Sequence, residues 1–157
     1  MTQLNDLWKR EIKSSDVIVD GLFKGVVAGL VMGVYLGLAG FIYGESPLSV
    51  LGRFDPAGDG QPLVGLLAHL AVSAIYGAMF GLISLTVSRL FRMPVWLPVA
   101  LGAAYGLLLV AVAWFVLLPG MGSPLLGIPL LHFSLGHLVY GLVLGWLAVR
   151  AGFVREQ

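Results

Sequence analysis

Long apolar stretches alternate with short polar breaks along this chain. Four stretches, about residues 18–44, 62–88, 97–118 and 129–149, run almost without charge. Each is long enough to cross a hydrocarbon core as a helix, which takes about 20 residues. The breaks read "ESPLSVLGRFDPAGDG", "RLFRMP" and "PGMGSPLLGIP", and each carries proline or glycine where a helix stops. The pattern predicts an all-α, integral membrane four-helix bundle forming a single transmembrane domain over residues 1–157. Inside the first break, "SPLSVLGRF" opens on Ser-Pro and spaces Leu48, Leu51 and Phe54 three apart, which predicts a short interfacial helix.

A second pattern lies inside the apolar stretches. Gly21, Gly25, Gly29, Gly33 and Gly37 fall at every fourth position of the first span. The second span continues with Gly65, His69, Ser73, Gly77 and Gly81, the third with Gly102 and Gly106, and the fourth with His137, Gly141 and Gly145. Glycine costs about 1 kcal/mol relative to alanine in a helix in water. In lipid, where burying leucine gives little drive for association, small residues let backbones approach, so a glycine zipper is expected. A step of four advances about 400°, so the row drifts about 40° per step and suits steep crossings or two neighbours. "AIYGAMFG" at 74–81 matches "LVYGLVLG" at 138–145 as Y-G-x-x-x-G. That match reads either as a tandem repeat of a helical hairpin or as the common reuse of glycine and interfacial tyrosine in membrane helices.

Composition agrees with the pattern. The chain is 59% hydrophobic and 11% charged, against about 25% charged in a soluble domain, too little to cover a water-facing surface. There is no cysteine, which excludes disulfides, thiolate metal sites and covalent c-type haem. A net charge of +1 offers no basic field for nucleic acid. The opening "MTQLNDLWKREIKSSD" lacks the apolar core of a secretory signal, so the first span is expected to stay in the mature protein.

Charge also sets orientation. Lys9, Arg10, Lys13, Lys24, Arg89, Arg92, Arg150 and Arg155 fall on one side of a four-span topology, and Arg53 alone falls on the other. The positive-inside rule then puts both termini in the cytoplasm and the first break outside. Asp20 and Lys24, spaced i,i+4, are expected to neutralise each other. No other acidic residue lies within a span, which argues against a proton or cation pump.

The candidate chemistry lies in three histidines. His69 and His137 stand seven and eight residues past Pro62 and Pro129, so they reach about 10–12 Å along helices that run the same way. Both sit on small-residue rows, an arrangement that suits a bis-histidine haem b with room for the porphyrin, and with Arg53 or the backbone of the first break to meet its propionates. The alternative is that each imidazole bonds a carbonyl or a Tyr hydroxyl and ties helices together. His132 does not share a face with His137, and the haem reading requires it to be dispensable. Zinc is poorly served without acidic or cysteine partners, and no hydrolase or phosphate-loop signature is present.

The last span, "HFSLGHLVYGLVLGWLA", carries H-x-x-Y-G-x-x-x-G. Over about twenty residues it resembles the closing helix of small uncharacterised bacterial four-helix inner-membrane proteins. The resemblance implies a multi-pass location in the bacterial cytoplasmic membrane and supplies no activity or site residue. The function expected is non-enzymatic: an accessory or scaffold subunit packed in the lipid bilayer with other membrane subunits, respiratory or photosynthetic, or with copies of itself. A haem b electron carrier using His69 and His137, and a homo-oligomeric channel or carrier for an uncharged solute, are the alternatives. Neither the main reading nor the channel reading needs a cofactor; the electron carrier needs haem b.

Overall fold

A computed structural model describes residues 14–91 and 93–150 of the chain. Lys9, Arg10, Lys13, Arg92 and Arg155, which weigh in the orientation argument, lie outside the described residues. The described residues are helical, without strands. Helix α1 spans Ser14–Ile42, the short α2 Pro47–Gly52, α3 Pro62–Leu90 and α4 Leu97–Val112. A π-helical turn, Ala113–Leu117, continues α4 into α5, Leu118–Met121; a 3-10 turn, Pro124–Gly127, then leads into α6, Leu130–Arg150. Four helical units, Ser14–Ile42, Pro62–Leu90, Leu97–Met121 and Leu130–Arg150, are long and apolar enough to cross a membrane. Large apolar side chains such as Phe23, Phe41 and Phe115 are exposed on their outer faces, as in a multi-pass membrane protein whose solvent is lipid.

The helix boundaries follow local chemistry. Ser46 caps α2 by accepting from the Ser49 amide, and Pro47 follows where its missing N–H costs nothing. Proline also opens α3 and α4 in the first turn. Arg89 and Arg150 sit in the last turns of α3 and α6, where a cation meets the free carbonyls. The π turn has its cause in Pro119. A proline inside a helix removes one donor and crowds the carbonyl four residues back, and the wider turn immediately before it relieves that crowding. Gly122 ends α5 with φ +58°, a left-handed conformation that few other residues adopt.

Two tightly packed antiparallel pairs make up the bundle: α1 with α3, and α4 with α6. The pairs join through α1 and α6, while α3 and α4, though consecutive, scarcely touch. Both pairs are built on glycine. A methyl on Gly77 would enter the backbone of α1 at Gly21 and Gly25, and one on Gly141 would enter α4 at Gly102. Gly106 likewise abuts the His137 carbonyl, and Gly145 abuts Pro98 and Val99.

The glycine row of α1 is not uniform. Gly21 and Gly25 lie against α3 backbone, and a methyl at Gly29 would sit 2.6 Å from Ser73 Cβ. At Gly33 the nearest atom would be the His69 ring at 3.7 Å, and at Gly37 Pro47 at 3.5 Å, both ordinary van der Waals separations. Gly81 is intermediate, 3.1 Å from the Val17 carbonyl. The drift of a four-residue row explains the gradient: it follows α3 for three turns and then passes to α2.

At one end of the bundle the start of α1 and the ends of α3 and α6 come together around Asp20, Gly81 and Ala148. Lys24 pairs there with Asp20, as the spacing implied. The opposite end carries the two longer breaks, which are tied to each other. Arg53 donates to both carboxylate oxygens of Glu45, at 3.2 and 2.8 Å, and to the Pro124 carbonyl at 3.3 Å. Buried Asp55 accepts from the amides of Ala57 and Gln61, at 3.0 Å each, and fixes the turn between α2 and α3.

Candidate functional site

Because α3 and α4 meet only near one end, a wedge opens between them. They converge where the Phe80 and Tyr105 rings pack 5.4 Å apart and the Tyr105 hydroxyl donates to the Tyr76 carbonyl at 2.9 Å. From that floor they splay toward the end with the long breaks, and the space between them is a cavity of about 590 Å³. Arg53–Gly58 and Met121–Leu125 roof it. Val72 of α3 and Leu117 of the π turn line the cavity and are themselves exposed.

The polar groups of the cavity come from two helices with the same spacing. On α3, His69, Ser73 and Tyr76 share a face; on α6, Phe133, His137 and Tyr140 do. Tyr140 is buried and donates its hydroxyl to the Ser73 carbonyl at 2.6 Å, closing the back wall. Ser73 turns its hydroxyl toward Gly29 of α1.

Each cavity histidine is held by a backbone carbonyl. His69 Nε2 donates to the Gly29 carbonyl on α1 at 2.9 Å, and the Phe54 ring packs 4.5 Å from its imidazole. His137 Nδ1 donates to the Phe133 carbonyl of its own helix at 2.9 Å, and the Phe133 ring packs 4.4 Å away. A carbonyl can only accept, so these bonds fix the tautomers: His69 Nδ1 and His137 Nε2 keep their lone pairs. Neither of these two nitrogens is a sealed, unpartnered atom; among the described residues only Ser84 Oγ is. Both open to the cavity that their side chains line.

His69 and His137 thus share one cavity, as the haem reading requires, but the other demands of that reading meet obstacles. The Nε2 of His69 is engaged with Gly29, and Phe54 and Phe133 cover the ring faces. Arg53, one of the two partners considered for propionates, is already bound to Glu45 and Pro124. Among the described residues no three His, Asp or Glu side chains cluster as metal ligands would.

His132, to which the haem reading gives no role, makes two side-chain hydrogen bonds of its own. It lies between Tyr35 of α1 and Tyr43 just past the end of that helix, with Nδ1 3.2 Å from the Tyr35 hydroxyl and Nε2 2.7 Å from the Tyr43 hydroxyl. It seams α6 to α1 on the side away from the large cavity. The spacing of Tyr35 and Tyr43 along the chain does not disclose this, because the partners meet only once α1 and α6 pack.

The chain matches no protein-family model, no curated protein and no solved structure.

Proposed function

We propose that this is a non-enzymatic membrane protein that binds a small, uncharged, lipid-soluble molecule in the cavity between α3 and α4. The observation that carries the reading is the cavity itself, about 590 Å³ and bordered by the exposed apolar side chains of Val72 and Leu117. Its size falls in the range of small-molecule sites, apolar with a few placed polar groups. The charged residues in its lining, Arg53 and Asp55, are already paired with protein groups, so a charged guest would find no counter-charge to offset its desolvation.

The role of accessory subunit in a respiratory or photosynthetic complex loses support from the same geometry. It drew on a surplus of glycine, and the tight glycines of α1, α3, α4 and α6 find their contacts within this chain. The positive-inside rule favours cytoplasmic termini, which sets the cavity toward the outer leaflet. The equivalent seating of Gly77 against Gly21 and Gly25, and of Gly141 against Gly102, favours descent from a duplicated hairpin. The bacterial cytoplasmic membrane is the location we propose.

Photolabelling in lipid nanodiscs with trifluoromethyl-phenyl-diazirine tests the binding reading. Saturable adducts on Val72, Leu117, Met121 or His137, reduced in Ala113→Phe, are expected. Unsaturable labelling spread over lipid-facing residues such as Phe23 and Phe41 overturns it.

A further inference from the structure

We propose that the cavity selects guests that donate hydrogen bonds, namely lipid-soluble alcohols or phenols whose hydroxyl is read by the lone pairs of His69 Nδ1 and His137 Nε2. This rests on the cavity being a binding site and adds the chemical class of its ligand.

The argument is one of donors and acceptors. A neutral imidazole has one N–H and one lone pair. In both cavity histidines the N–H is held by a main-chain carbonyl, Gly29 for His69 and Phe133 for His137. Each ring therefore turns an acceptor into the cavity, and neither can turn its donor inward without leaving a buried carbonyl bond. The Tyr140 hydroxyl, which could otherwise donate to a guest, is committed to the Ser73 carbonyl, and that of Tyr105 to the Tyr76 carbonyl. The amides of Ala57 and Gln61 are committed to Asp55, and Arg53 spends three of its five N–H on Glu45 and Pro124. The hydroxyls of Ser73, Tyr76 and Ser123 remain, and a hydroxyl rotor serves donors and acceptors alike. At the two imidazoles the fixed groups turned to a guest are thus acceptors. A guest bearing only ether or carbonyl oxygens leaves both imidazole lone pairs unmet in an apolar space, and a hydroxyl guest satisfies at least one.

A matched pair of probes tests this: 1-naphthol and 1-methoxynaphthalene, alike in shape, competing against the diazirine label at equal mole fraction in the nanodisc bilayer. Naphthol is expected to compete at about three- to tenfold lower mole fraction, the worth of one net hydrogen bond. In His137→Phe the preference should fall toward parity while the methoxy compound still competes, which also reports that the variant retains its cavity. Equal competition by the pair in the unmodified protein overturns the donor class, whether or not the variant folds. So does failure of both to displace a saturable label. A full preference retained in His137→Phe overturns the assignment to His137. Loss of saturable labelling altogether would instead remove the binding reading on which this inference stands.

Discussion

Tyr140 on α6 donates its hydroxyl to the carbonyl of Ser73 on α3, at 2.6 Å and out of reach of solvent. With the Tyr105 bond to the Tyr76 carbonyl, it is one of two cross-links that fasten α3 to the α4–α6 pair. The α3 backbone stays apart from α4 and α6 there, and the Phe80 ring packed on Tyr105 bridges the gap.

Removing these hydroxyls should therefore loosen α3 while leaving the glycine-packed pairs intact. Tyr140→Phe and Tyr105→Phe keep ring volume and are each expected to cost about 0.6–1.7 kcal/mol, the range of hydrogen bonds between membrane helices. Reversible unfolding in mixed micelles measures this. A double variant that loses no more than either single one would show that only one cross-link contributes.

The glycine gradient gives a sharper test. Gly25, Gly77 and Gly141 leave no room for a methyl, whereas Gly33 and Gly37 do. Alanine at Gly25, Gly77 or Gly141 should destabilise by about 1–3 kcal/mol, the usual cost of overpacking. Alanine at Gly33 or Gly37 should be neutral or slightly favourable. A uniform response along the α1 row would mean that the pairs do not pack as described.

That contrast marks how far the sequence could be read. Span number, span limits and the helix at Pro47 follow from hydropathy and turn residues, which act locally. A four-residue glycine row identifies a packing face, but whether a given glycine is crowded depends on the partner that the drifting row meets. Gly29 and Gly33 look identical in sequence and differ because one faces Ser73 and the other the flat ring of His69. The cavity was legible only in part. Its two histidines stood out, but the wedge that joins them arises because α3 and α4, neighbours in sequence, separate in space. The bonds of His132 were hidden for the same reason, since Tyr35 and Tyr43 lie about ninety residues earlier in the chain.

The roof of the cavity depends on Arg53, which joins Glu45 to the Pro124 carbonyl. Arg53→Gln cannot make the bidentate pair with Glu45. Hydrogen–deuterium exchange in nanodiscs should then speed up at 53–58 and 123–127, with little change in α1 or α6. Glu45→Gln should give a smaller effect of the same kind, since the contact to Pro124 remains. Unchanged exchange at both segments in Arg53→Gln would mean that the roof is held by its own turns alone.

Orientation decides from which leaflet a guest enters, and the cysteine-free chain makes it measurable. Single cysteines at Ser49 and Ala57 lie on exposed positions of the roof and its flank; Ala57 is preferable to Gly58, whose φ of +77° a cysteine would strain. The Lys and Arg imbalance places these positions outside, so both should react with an impermeant maleimide on intact cells. Cysteines at Gln3 and Gln157 should react only after the membrane is permeabilised. The complementary test is to move the charge itself: Arg89→Gln with Arg150→Gln weakens the inside signal at two described helix ends without touching the cavity. With Lys9, Arg10, Lys13 and Lys24 still in place, labelling at Ser49 should persist, because the first span usually dominates orientation. Labelling of a cysteine at Gln3 but not at Ser49, with every arginine in place, would invert the topology and turn the roof of the cavity toward the inner leaflet.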